Sequence, residues 1–194
     1  MTGPSEPPSS DITVLLRAAR GGGSAAHADL ARAVYGELKR LAGARLRGRQ
    51  AGQTLGPTAL VHEVWLRLGV DAAQFEDRRH FFGAAARAMR QVLVDQYRHR
   101  RRAKRAHARD AGVDLDGIPE ASALPPTDLL ALDEALVALE ALDARMAEIV
   151  QLRFFAGLSV EETAVALDVS DRTVKREWGV ARAWLCQRLG GGSA

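Results

Sequence analysis

From Leu158 to Leu189 the chain reads LSVEETAVALDVSDRTVKREWGVARAWLCQRL, and this stretch constrains the fold more than any other. Ser159 followed three residues later by Glu162 has the spacing of a capping box, in which each side chain accepts from the other residue's backbone N–H. The pattern predicts a short helix from Val160 to Leu167, with Ala164 and Leu167 as its apolar positions. Asp168-Val169-Ser170 makes the turn. Ser170 or Asp171 caps the next helix, which opens on Arg172, Thr173, Lys175 and Arg176. Farther along, Val174, Val180, Ala181, Trp184 and Leu185 recur at helical spacing and are expected to face a core. Two capped helices across a tight turn, the second opening on polar and cationic residues, form a helix-turn-helix whose second helix suits the major groove. An ordinary amphipathic hairpin also carries caps and exposed cations. The coincidence of turn length, both caps and the cationic turn makes DNA the leading partner.

Charge is segregated along the chain. The formal net charge is only +3, yet residues 1–109 carry +11, residues 110–128 carry −5 and residues 129–194 carry −3. Such a front half faces a polyanion. Six of the eight residues from Arg98 to Arg105 are Lys or Arg. Cations near a helix C-terminus are favoured by the macrodipole, but six packed so closely repel one another, and a phosphate backbone is their natural counter-charge.

Aromatic residues make up 5% of the chain, Ala and Leu dominate, and no alternating Val/Ile run reads as a strand. The expected class is therefore all-α. Helices are expected over Asp11–Arg20, about Ala26–Leu46, from Pro57 to near Gly69, about His80–Arg105, Leu129–Leu142 and Ala144–Phe155, ahead of the helix-turn-helix. The first is stopped by Gly21-Gly22-Gly23, which lacks the lysine and hydroxyl that a phosphate-binding loop needs. Apolar stripes run through Leu30, Val34, Leu38 and Leu41, then Leu60, Val64 and Leu68, then Phe81, Phe82, Ala85, Met89, Val92 and Leu93. Leu132, Leu136, Leu139, Ile149, Leu152 and Phe155 form a second core. Between these groups, Asp110–Asp128 is rich in Pro, Gly and acid and has no period. The chain thus reads as two small helical domains, 11–109 and 129–189, joined by a flexible acidic linker, with tails at 1–10 and 190–194 and the helix-turn-helix in the second domain.

An enzyme is disfavoured. His62-Glu63 begins like a zinc-protease motif, but Leu66 occupies the second histidine position, and His27, His80, His99 and His107 show no metal spacing. No cofactor and no metal is expected. Cys186 is the single cysteine, which suits a reducing cytoplasm. Residues 1–10 do not read as a signal peptide, and no apolar run approaches the ~20 residues of a membrane span. The localisation expected is cytoplasmic.

The order of these segments resembles the bacterial RNA polymerase sigma factors of the extracytoplasmic-function (ECF) group. ALVHEVWLRL (Ala59–Leu68) is similar to the family's polymerase-binding helix. MRQVLVDQYRHRRR (Met89–Arg102) is similar to the helix that meets the minus-ten promoter element. Leu132–Leu185 resembles the domain that reads the minus-thirty-five element. The resemblance spans about residues 11–189. It implies core RNA polymerase, through its beta-prime clamp and beta flap, and promoter DNA as partners. An anti-sigma factor, where one exists, would cover the same faces. His62, Glu63 and Arg67 fall where the family contacts the clamp. Phe75 lies in the loop, 72–79, that captures a flipped minus-ten base, with Arg78 and Arg79 beside it for stacking and cation–π contact. Gln91 faces that loop where asparagine is usual. Arg98, Arg100, Arg101 and Arg102 match the basic end near the melted region, and Arg172, Thr173, Lys175 and Arg176 match the recognition helix. His62 replaces a usual glutamine, the tryptophan common after the base-capturing loop is absent, and Asp143 replaces a usual proline. The acidic linker reads either as a plain solvated tether or as a segment threading a basic channel of the polymerase. Two other readings share parts of this pattern: a helix-turn-helix regulator acting alone, and a sigma-like RNA-binding or antitermination protein.

Overall fold

The computed structural model of the chain describes residues 11–21, 23–46, 56–69, 74–105 and 129–190. All the regular elements among them are helical: α1 Asp11–Arg20, α2 Ser24–Leu46, α3 Pro57–Leu68, α4 Arg78–Arg105, α5 Leu129–Leu142, α6 Ala144–Val150, α7 Val160–Leu167 and α8 Asp171–Gly190. A five-residue π-helical turn, Gln151–Phe155, prolongs α6. The chain is all-α, as its composition implies. The linker 110–128, the tail 1–10, most of 190–194 and part of the loop before α4 lie outside the described residues.

The predicted stripes are the observed core, except that Leu68 at the end of α3 is only partly buried. Leu30, Val34, Leu38 and Leu41 of α2, Leu60 and Val64 of α3, and Phe81, Phe82, Ala85, Met89, Val92 and Leu93 of α4 are buried. So are Leu132, Leu136, Leu139, Ile149, Leu152 and Phe155 in the second group. On α8 Trp184 is only partly buried, and one expected position is not inward at all. Val180 was expected inward but is 50% exposed, and Trp178 is buried instead. Val174, Trp178, Ala181 and Leu185 are spaced 4, 3 and 4 apart, one stripe of a 3.6-residue helix, and Val180 falls off it.

Local chemistry sets the helix starts. Asp143, where the resembled family carries proline, caps α6: its side chain accepts from Met146 N at 2.9 Å. The Ser159–Glu162 capping box is fully made, with Glu162 N to Ser159 Oγ at 3.1 Å and Ser159 N to Glu162 Oε2 at 2.8 Å. Asp168 ends α7 in the left-handed region (φ 55°, ψ 49°), which a short polar side chain tolerates. Ser170 then caps α8 by accepting from Thr173 N at 3.1 Å.

The π turn was not expected from sequence. Its wider ring runs from Ala156 N to Gln151 O at 3.2 Å. All five of its residues are buried, because the segment is covered from several sides at once by α4, α6 and α7. Through it, the helices before and after residues 106–128 share one continuous apolar cluster.

Candidate nucleic-acid interface

Helix α4 is 28 residues long, about 42 Å at 1.5 Å per residue. Its N-terminus is fixed by Asp77, whose carboxylate accepts from His80 N at 2.7 Å, while His80 Nδ1 accepts from Glu76 N at 3.1 Å. The preceding segment 74–77 is tied on two more sides. Arg20 of α1 donates to Glu76 O at 2.6 Å, and Gln74 Nε2 donates to Leu68 O at the end of α3. Gly69 makes that approach with φ +81°, a conformation side chains rarely adopt.

These ties frame an open cavity of about 300 Å³ between the end of α3 and the face of α4. Arg67, Gln74, Phe75, His80, Arg87 and Gln91 line it, with Leu68, Ala84 and Ala88 as its apolar floor. Phe75 and Gln91, picked out from the sequence, therefore meet at one place. Phe75 is a wall of it, being 3% exposed and set edge-on against His80 and Phe81. Arg67 also lines the cavity and pairs with Asp95 of α4 at 2.9 Å. Sequence reasoning missed His80 and Arg87; their spacing from Gln91, 11 and 4 residues along one helix, was the available signal.

Arg78 and Arg79 are not at this cavity. Arg78 lies over the Phe82 ring at 5.2 Å, and its Nε is buried with no hydrogen-bond partner among the described residues. Burial holds its pKa below the usual value, with Arg40 adding to that and Glu37 and Glu162 opposing it. Arg79 instead reaches Glu148 of α6 at 2.7 Å. The reason is one of phase. Residues 78 and 79 sit in the first turn of α4, rotated away from the 80–84–87–91 stripe that faces the cavity.

The basic run occupies the last turns of α4. Arg102 is exposed, and Arg98 lies 3.7 Å from both Asp95 and Asp133. Arg100 and Arg101 share this end; their side chains lie outside the described set. Gln91 and Arg102 are 11 residues apart on one helix, so cavity and basic end are separated by about 16 Å.

On α3, His62 and Glu63 are exposed beside Leu66, opposite the buried Leu60, Val61 and Val64. On α8, Arg172, Lys175 and Arg176 project outward from the stripe that packs Val174 and Trp178. Thr173 is different, since its hydroxyl is engaged by Ser170 Oγ at 2.8 Å. Glu177 is buried and receives Arg145 of α6 through two hydrogen bonds, 2.5 and 2.8 Å, and Arg176 at 3.2 Å. These bonds fix the rotation of α8 on α6. In the first turn of α7, the Glu161 carboxyl is held below the ordinary carboxylate range, first by its own backbone N–H, then by the Ser159 hydroxyl, with Lys175 and Arg153 adding charge.

Among the described residues, no cluster of His, Cys, Asp and Glu could hold a metal ion, and no helix is long and apolar enough to cross a membrane. The sequence model of the family described as ECF sigma factor matches residues 9–191. Comparison with curated proteins and with solved structures gave no match.

Proposed function

The chain belongs to the ECF sigma factor family, and we propose that it binds core RNA polymerase and directs it to promoters carrying minus-ten and minus-thirty-five elements. In this reading residues 11–109 form the polymerase-binding and minus-ten domain, and residues 129–189 the minus-thirty-five domain. The observation that carries it is the combination on α4: a base-sized cavity with amide and guanidinium donors, followed on the same helix by a cationic end.

Melting a duplex requires somewhere to hold an unstacked base, because unstacking costs a few kcal/mol per step. Gln91, Arg87 and Gln74 offer hydrogen-bond donors to a base edge, and Phe75 with His80 offers an aromatic wall. Arg98, Arg100, Arg101 and Arg102 neutralise phosphates beside the melted segment. About five such contacts give a log–log salt slope of roughly −4 to −5. Arg172, Lys175 and Arg176, with Thr173 at the cap, enter the major groove of the upstream element, each good base contact giving ~1–3 kcal/mol of discrimination. His62, Glu63 and Arg67, around exposed Leu66, form the polymerase contact. Chemistry stays with the polymerase; this chain positions DNA.

Co-purification with core polymerase tests the first half of this reading. The protein is expected to co-elute with core enzyme, and His62→Ala/Glu63→Ala to lose that association while keeping its fold. Equal retention of the variant would remove α3 from the polymerase contact.

A further inference from the structure

Main-chain carbonyls just ahead of a helix have no helical N–H to receive, so a segment held there needs other donors. The first ring of α4 closes from Phe81 N to Asp77 O at 3.1 Å, which leaves the carbonyls of Phe75 and Glu76 outside the helical ladder. Arg20, the last residue of α1, reaches both. Its Nη2 donates to Glu76 O at 2.6 Å and lies 3.4 Å from Phe75 O. The peptide between Phe75 and Glu76 is held from its other side as well, because Glu76 N donates to His80 Nδ1 at 3.1 Å. One peptide unit is thus fixed between α1 and α4, although Arg20 and Phe75 are 55 positions apart in the chain.

That peptide carries the Phe75 ring, the aromatic wall of the cavity. The ring is buried, 5.6 Å from the ring of His80 and 5.4 Å from that of Phe81. α1 is anchored elsewhere: Ile12, Leu16 and Ala19 are buried, and the helix packs on α2. Its last side chain crosses to the 74–77 segment, yet Arg20 is not part of the cavity lining. An exposed cation on a DNA-binding chain could serve a phosphate. Here the guanidinium is spent on two neutral carbonyls, and its planar nitrogen sets the direction to each, which a freely rotating ammonium would not.

Resting on the sigma-factor reading above, we infer that Arg20 is a positioning residue for base capture. From α1 it holds the Phe75–Glu76 peptide so that the Phe75 ring stands where an unstacked base meets it, and it touches no DNA itself. A binding group works when the residues behind it fix it to within about 0.5 Å. Exposed charged contacts add little to stability. The loss of Arg20 is therefore read in base capture and not in unfolding.

The test uses the full chain assembled with core polymerase, as wild type, Arg20→Ala, Arg20→Lys and Arg17→Ala. Arg17 is an exposed cation one turn earlier on α1 and controls for charge. The probe is a labelled fork-junction DNA from a promoter at which the wild type starts, with an abasic site set at each position of its single-stranded minus-ten segment in turn. For wild type and Arg17→Ala, one position is expected where losing the base weakens binding roughly tenfold, on the scale of one stacked base. For Arg20→Ala that loss should shrink to within about twofold, with intact DNA bound no better than wild type binds the abasic probe. Arg20→Lys should recover less than half of the difference. Circular dichroism checks folding, and the Lys form keeps the test decisive should the Ala form not fold. A full penalty retained by Arg20→Ala, or full recovery by Arg20→Lys, would overturn the positioning role. So would a salt slope lowered by about 0.9 in Arg20→Ala, the mark of a direct phosphate contact. If wild type directs starts but shows no base-sensitive position, the inference fails while the sigma-factor reading stands. If wild type directs no starts, both fail.

Discussion

Arg90 of α4 grips Asp133 of α5 twice, donating from Nε to the carboxylate at 2.6 Å and from Nη2 to the backbone carbonyl at 2.7 Å. The two side chains are 11% and 21% exposed, the most enclosed of the pairs that join the halves of the chain. Hydrogen bonds to charged groups contribute about 1.5–3 kcal/mol each where solvent is largely excluded. Arg90→Ala is therefore expected to destabilise the protein by about 2–3 kcal/mol in urea unfolding. Arg90→Lys should recover less than half of that, because a lysine cannot reproduce the two-pronged geometry. Equal stability of Arg90→Ala and wild type would show that the contact is absent in solution.

The Glu162 carboxylate serves two neighbours. One oxygen closes the α7 capping box on Ser159 N and the other takes Arg40 at 2.6 Å. Burial opposes the charge on Arg40, but hydrogen bonds and charges from Glu37, and then Glu162, outweigh it and raise its pKa. Ser159→Ala should cost about 1 kcal/mol by removing the cap. Glu162→Gln should cost less, since an amide oxygen still accepts from Ser159 N while the ion pair is weakened. Thermal unfolding of the two variants ranks them, and the reverse order would refute this division of roles.

Acid should remove one further contribution. Glu161 has its folded pKa below the unfolded value, chiefly through hydrogen bonding. The stability it adds is present above the unfolded carboxylate pKa and lost as pH falls through the lower folded one. Wild type should thus exceed Glu161→Gln in stability at pH 7, and the difference should vanish in acid. Urea titrations at both pH values check the sign, and a gap that widens in acid would contradict it.

At the cavity, Gln91→Ala and Arg87→Ala should weaken binding of single-stranded minus-ten DNA by about 1–3 kcal/mol each, on the scale of one base contact. Binding of the upstream duplex by α8 should be unchanged. A loss shared equally by both DNAs would mean that these side chains serve the fold and not a base.

On α8 the cations should differ in weight. Lys175→Ala and Arg172→Ala should each lower the magnitude of the salt slope by about 0.9. Arg176→Ala should lower it less, because Arg176 already pairs with Glu177 at 3.2 Å. Anisotropy titrations across a salt series measure all three, and equal slopes would show that Arg176 leaves Glu177 on binding.

Much of this was legible because its causes are local. The Ser159–Glu162 box, the Asp168–Ser170 turn and the stripes of α2 and α4 depend on residues three or four apart, and a sequence displays those directly. Val180 misled because a valine next to Ala181 looks inward until the stripe is phased on Trp178. The π turn at Gln151–Phe155 left no trace, since one extra residue in a helical ring has no composition of its own. The assignment of Arg78 and Arg79 to the base-capturing loop followed their position in the chain, whereas the rotation of α4's first turn decides where they point. Least legible was the junction. Arg40–Glu162 and Arg79–Glu148 join residues 122 and 69 positions apart, and a charge tally can suggest such pairs without placing any of them.

The proposed role is to give core RNA polymerase promoter specificity. The most direct test is transcription of a genomic DNA library by purified core polymerase from a close bacterial host, with and without the protein, reading every 5′ end. New, discrete start sites preceded by two shared sequence elements at fixed spacing are expected, and they should disappear when Gln91 and Lys175 are both replaced by alanine. DNA binding with no new start sites would contradict it and favour a helix-turn-helix regulator that acts without polymerase.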